Sequence, residues 1–183
     1  MASGFSGEPL TRWNGSRNMT LEEDFFFEDS NGKTWSALKG SCLNGATIPR
    51  ALWSAVGAPY SGRYRRASVV HDVAVGELCN PDVSSSDRKK ADRMFYQACR
   101  HDGCSRKFAA ILYIGVRFGS WSSGLGSIFK SNELLESEIG RDNPEDVYIQ
   151  AKFWKIVDMS NEAIETENLE ILDQIIEKEL NTN

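Results

Sequence analysis

The sequence predicts an α+β fold, a small N-terminal sheet followed by a helical half, and three observations carry the prediction. An aromatic run leads into an Asn-Gly turn in "FFFEDSNGKTW" near the start of the chain. From Arg65 onward apolar residues recur at three- and four-residue steps, the spacing of a helix face. The C-terminal stretch repeats that spacing in an acidic background. With 183 residues, 40% hydrophobic and 26% charged, the chain has the size of one globular domain with room for an appendage.

The elements follow in order. Met19 to Lys39 reads as a β-hairpin closed at "SNGK". In "NGATIPRALWSAVG", Pro49 suits the first turn of a short helix and Gly57 its end. The next helix is expected from about Gly62 to Leu78, with Ala67, Val70, Ala74 and Leu78 on one face. His71 lies beside Ala67 and Ala74, and Asp72 sits about 100° further round, so the pair borders the apolar face. "CNPDVSSSD" is a loop by composition, and a Ser of "SSSD" can cap a helix through "RKKADRMFYQACRHDG" that stops at Gly103. "SRKFAAILYIGVRFG" gives a more deeply buried helix. "GSWSSGLGS" then reads as a linker-like loop before two acidic amphipathic helices, "NPEDVYIQAKFWKIVDMS" and "NLEILDQIIEKEL". Leu169, Leu172, Ile175, Ile176 and Leu180 form the stripe of the second, which can pack on its own domain, on a second copy or on a partner protein. The expected division is a core domain 1–119, a Gly/Ser-rich connecting segment 120–143 and an acidic helical extension 144–183.

Composition narrows the function classes. The longest apolar run is shorter than a membrane span and the N-terminus lacks a basic start followed by an apolar block, which predicts a soluble, unsecreted protein. Cys42, Cys79, Cys99 and Cys104 show neither CxxC spacing nor the density of a disulfide scaffold, so reduced thiols are expected. The net charge of -5 divides unevenly: twelve Lys or Arg against six Asp or Glu from Arg50 to Arg117, and four against fourteen from Ser131 to Asn183. The sequence pI of about 5.2 opposes a dedicated nucleic-acid binder, although Tyr60, Tyr64 and the arginines of "GRYRRAS" would suit phosphate. No phosphate-cradling glycine loop is present.

The chemistry-bearing residues lie on two successive helices. If these fold back on each other, Asp92 in "KKADRMF" faces His71. A carboxylate on one imidazole nitrogen fixes the tautomer and leaves the other as a general base. Asp72, on a different side, can then hold a divalent cation, Ca²⁺ or Mg²⁺, with backbone carbonyls and Asn44. Arg50, Arg63 and Arg66 are candidate anion clamps for a phosphate-bearing small molecule or a lipid headgroup. His101-Asp102 sits at a helix end before Gly103, where a cation suits the helix dipole, and reads as structural. An HD-type phosphohydrolase requires a further histidine upstream, and His71 is the first in the chain.

The order "GATIPRALW", "GRYRRASVVHD", "ADRMF", "ILYIGVRFG" resembles a family of small proteins, frequent in phages and prophages, known only as a domain of unknown function. The resemblance runs roughly from Pro9 to Trp121. It implies β-strands followed by a helical half and, for a phage-encoded chain, the cytoplasm of the bacterial host. Two departures touch the site: Asn44 stands where relatives carry Asp, and Val73 to Val75 of "HDVAV" replace a Tyr-containing "HDYLY". The His-Asp helix followed by "ADxxF" is also similar to the catalytic helices of secreted phospholipases A2. That likeness implies His71 as base, Asp72 as calcium ligand and Asp92 as orienter, but Ser68 and Ala74 stand in place of its cysteines and its glycine-rich calcium loop is missing. Two functions are therefore expected: a metal-assisted ester or phosphoester hydrolase, or a non-enzymatic phage protein with a degenerate site that binds a host or defence component through its C-terminal helix.

Overall fold

A computed structural model describes residues 4–15, 18–45, 48–57, 62–76, 83–129 and 144–182. The N-terminal part forms two antiparallel sheets. Strands β1 (Gly4–Phe5), β4 (Phe25–Glu28) and β5 (Thr34–Ala37) make one, in the order β1-β4-β5. Strands β2 (Thr11–Trp13), β3 (Met19–Leu21) and β6 (Cys42–Leu43) make the other, in the order β2-β3-β6. The expected hairpin is β4–β5, with Phe25 opposite Ala37 and Phe27 opposite Trp35. Its side chains alternate as a pleated strand dictates: Phe25 and Phe27 are buried and Phe26 is exposed. Asp29 closes the turn by accepting the amide hydrogens of Asn31 and Lys33, while Gly32 takes the left-handed φ of 77°.

The helical half begins with a 3-10 turn, Arg50–Leu52, that runs into α1 (Trp53–Val56) and ends at Gly57. After a second such turn, Gly62–Tyr64, come α2 (Arg65–Val75) and α3 (Ser85–His101). Gly76 ends α2 in the left-handed conformation, its N–H reaching the Asp72 carbonyl at 3.2 Å. Ser84 caps α3: its Oγ accepts from the Asp87 amide at 3.1 Å and donates to the Asp87 carboxylate at 2.8 Å. Arg66 meets Asp102 and His71 meets Asp92, so α2 and α3 run antiparallel.

Helix α4 (Arg106–Phe129) corrects one expectation. The stretch from 120 to 129, read above as the start of a linker, continues this helix. A glycine in a helix interior costs only about 1 kcal/mol relative to alanine, and each added residue of an already nucleated helix gains a hydrogen bond, so propagation from the buried run 109–118 overrides the local signal. The remainder of the expected connecting segment, 130–143, lies outside the described residues. Helices α5 (Pro144–Met159), α6 (Asn161–Glu165) and α7 (Leu169–Leu180) follow. Phe153, Ile156, Ile164, Leu172 and Ile176 join the same hydrophobic cluster as Phe27, Leu43, Phe95 and Phe118. The apolar stripe of α7 thus packs on this chain's own core, with Leu169, Ile175 and Leu180 at its margin. Among the described residues Cys42, Cys99 and Cys104 form no disulfide, and Cys79 lies outside them. Among the described residues no helix is long and apolar enough to cross a membrane.

Candidate functional site

The antiparallel pairing of α2 with α3 brings His71 against Asp92. Nε2 of the imidazole stands 2.7 Å from Asp92 Oδ1, and the two side chains are 1% and 0% exposed. The face of Phe95, one turn beyond Asp92, packs on the imidazole with ring centroids 4.9 Å apart. With an ionised Asp92 and a neutral imidazole, Nε2 is the nitrogen that donates to the carboxylate and Nδ1 the one that keeps its lone pair. Among the described residues Nδ1 is buried without a hydrogen-bond partner. This is the tautomer that a general base requires.

Asp72 faces the other way and fastens a turn. Its Oδ2 accepts the amide hydrogens of Asn44 at 3.0 Å and Gly45 at 2.6 Å, tying the segment after β6 to α2. Asn44 therefore meets Asp72 through its main chain. A calcium or magnesium ion bound through Oδ2 would have to displace both donors, whereas Oδ1 takes part in neither bond. Among the described residues no group of three or more His, Cys, Asp or Glu side chains converges to hold a metal ion.

The candidate anion clamps stand apart from the dyad. Arg66 lies five residues before His71, about 7.5 Å along the helix axis. It pairs through Nη2 and Nε with the Asp102 carboxylate, donates Nη1 to the Gly7 carbonyl at 3.1 Å, and stacks over the Phe5 ring. It straps β1 to the helices. Arg63 donates to the Gly103 carbonyl at 2.9 Å. With Arg65, Glu8 and Asp102 these two arginines line a cavity of about 350 Å³. Arg50 occupies the first 3-10 turn, and its side chain, like Tyr60, lies outside the described residues. A larger cleft, about 460 Å³, opens over α3 beside Trp35, Gln97 and Glu167 and does not reach His71.

Sequence reasoning missed the polar residues behind the dyad. Arg117 of α4 places Nη1 3.6 Å from Asp92 Oδ2, donates Nη2 to Glu177 at 3.0 Å and holds Nε 3.7 Å from Asp173. Asp173, buried in α7, also receives Nε and Nη2 of Arg93, the Tyr113 hydroxyl and, at 3.3 Å, the Lys89 ammonium. Burial first, and then the neighbouring Asp173 carboxylate, push the Tyr113 phenol well above its usual range. The available signals were a single arginine inside the apolar run "YIGVRFG" and an aspartate inside the stripe "LEILDQII".

Comparison with known proteins gives a family without a function. The chain is 35% identical over 96 residues to the uncharacterized protein y4jT of Sinorhizobium fredii (strain NBRC 101917 / NGR234), covering 52% of this chain and 27% of that protein. It is 33% identical over 96 residues to the uncharacterized protein y4iH of the same organism, covering 52% of this chain and 38% of the relative. The aligned stretch thus spans well under half of either relative's length. No solved structure matches. A family model covers residues 19–116, from β3 through α2 and α3 into α4, and so contains His71, Asp72 and Asp92. Over that stretch, more than half of its length, the chain belongs to the family described as protein of unknown function DUF1353.

Proposed function

We propose that this protein is a hydrolase of ester or phosphoester bonds, with His71 as general base. The observation that carries this reading is the division of labour on one buried ring: Nε2 is held at 2.7 Å by Asp92 while Nδ1 has no hydrogen-bond partner. Buried polar atoms are almost always satisfied, and each exception calls for an explanation, among which a catalytic role stands beside local strain and an ordered water. In this reading Nδ1 takes a proton from a water that attacks the substrate carbonyl or phosphorus, Asp92 stabilises the imidazolium formed, and the imidazolium returns that proton to the departing alcohol oxygen as its bond to carbon or phosphorus breaks. Asp72 acts as a positioning residue that fixes the Asn44-Gly45 turn against α2. No step runs through a cation.

The test is turnover of p-nitrophenyl butyrate, bis(p-nitrophenyl) phosphate and phosphatidylglycerol vesicles by wild type and His71→Asn. The expected result is hydrolysis of at least one, falling roughly 10²- to 10⁴-fold in the variant with its circular dichroism unchanged. Equal rates in the two proteins would end the proposal. A second reading draws on the burial itself, since His71 and Asp92 are 1% and 0% exposed. There the dyad is a core hydrogen bond, and the chain is a phage protein that acts by binding a host component. Absence of turnover on every substrate, with His71→Asn merely less stable, selects that reading.

A further inference from the structure

Asp92 spends one carboxylate oxygen on His71, and its other oxygen, Oδ2, has no hydrogen-bond partner at a site with 0% side-chain exposure. An ionised carboxylate in such a place requires a nearby positive charge. Among the described residues the cation within ion-pair range is Arg117, 3.6 Å away and itself only 13% exposed. Arg117 does not hang free. Glu177 accepts its Nη2 at 3.0 Å and Asp173 stands 3.7 Å from its Nε. Asp173 and Glu177 are four residues apart in α7, so one face of that helix presents both carboxylates to the guanidinium. Asp173 is fixed in turn by Arg93, Lys89 and Tyr113 from α3 and α4.

We propose that Arg117, gripped by Asp173 and Glu177 of α7, is the positioning residue that holds Asp92 against His71, which makes the C-terminal helix a working part of the dyad. The inference rests on the hydrolase reading above for its functional meaning, and on the geometry of four helices for its substance. A planar guanidinium suits the task because it can face three carboxylates at fixed angles, which an ammonium cannot do equally well. Asp173 and Glu177 lie well beyond the family-matched residues 19–116, and Arg117 stands one residue past their end. The groups around the dyad are Asp72 on its own helix, Lys89 and Arg93 on α3, Tyr113 and Arg117 on α4, and Asp173 and Glu177 on α7. The strands packed on α2 turn Phe25, Phe27, Ala37 and Leu43 inward and carry Glu28 and Cys42 as their titratable side chains.

The experiment is nitrogen-15 NMR of the imidazoles in the full chain, whose two histidines are told apart with His101→Gln. Wild type should show His71 in the Nε2–H form, with that hydrogen exchanging slowly with solvent. Arg117→Met, at unchanged circular dichroism, should speed the exchange at least tenfold, and Arg117→Lys should restore part of the protection. Should Arg117→Met fail to fold, Glu177→Gln removes only a half-exposed partner and should give a smaller increase. An unchanged His71 signal in the folded variants would overturn the proposal and leave Arg117 as a structural tie. A wild type without the Nε2–H form would overturn it together with the hydrolase reading. Failure of the turnover assay alone leaves this measurement intact, so the two proposals fall separately.

Discussion

Replacing Asp92 by leucine is the most direct probe of what the buried pair contributes to the fold. Leucine keeps the branching of aspartate and is larger, so the change opens no cavity and adds some overpacking to the polar loss at this fully buried site. It removes the acceptor of a hydrogen bond to a charged group, worth about 1.5–3 kcal/mol, and leaves an imidazole N–H unpaired at full burial, a further 1–3 kcal/mol or so. Arg117 loses a counter-charge at the same time. Since removing one member of a buried pair typically costs about 3–5 kcal/mol, roughly 4 kcal/mol is the expectation here. Urea unfolding reads it directly: with a slope of about 2 kcal/mol per molar, the midpoint should fall by about 2 M. The companion double variant, His71→Phe with Asp92→Leu, replaces both polar groups and should recover most of the loss. A midpoint shift in Asp92→Leu below roughly 0.5 M would refute the reasoning, because it would mean that water serves both groups. A double variant no more stable than Asp92→Leu would refute it as well.

Other consequences can be checked with equally simple variants. Because Asp72 Oδ2 already accepts two amide hydrogens, titration calorimetry with calcium or magnesium should show no saturable binding; a saturable signal that vanishes in Asp72→Asn would restore the cation to the site. Burial raises the Glu167 carboxyl, but hydrogen bonds from Tyr96 and Arg100 and the charges of Arg100 and Arg106 outweigh it and hold the group below its usual range. Its contribution is therefore complete above the ordinary glutamate range and lost as the pH falls through the lowered value, so the Tm advantage of wild type over Glu167→Gln should persist near neutral pH and shrink progressively as the pH is lowered below that range. An advantage independent of pH would exclude this account. Ser84→Ala removes the side-chain cap of α3 and should cost about 1 kcal/mol in urea unfolding, with no effect on the His71 imidazole signals.

The parts of this fold that were legible in the sequence are those written in local pattern. The alternation of Phe25, Phe26 and Phe27 announces a half-buried strand, and Ser84 and Gly103 bracket α3. The His71–Asp92 pair was also legible, because two helices joined by a short loop must run back along each other. The sheet of β2, β3 and β6 was not, since strands of two or three residues are too short to show alternation. Nor was the Arg117 network: Arg93 and Asp173 lie 80 residues apart, and a pairing made only by tertiary packing leaves no periodic trace. The main-chain bond of Asn44 to Asp72 was not legible either, because a residue type points to its side chain and says nothing of its N–H.

Helix α4 runs from Arg106 to Phe129, whereas the family match stops at residue 116. The matched segment and the hydrophobic cluster it packs in therefore have different edges, and the end of the match falls inside a helix. A fragment trimmed to the match would end at Val116, one residue before Arg117, and would lay bare the faces on which Phe153, Ile156, Leu172 and Ile176 rest. Grafting the matched stretch into another protein, or comparing it across distant relatives, needs a substitute for what α5 to α7 cover here.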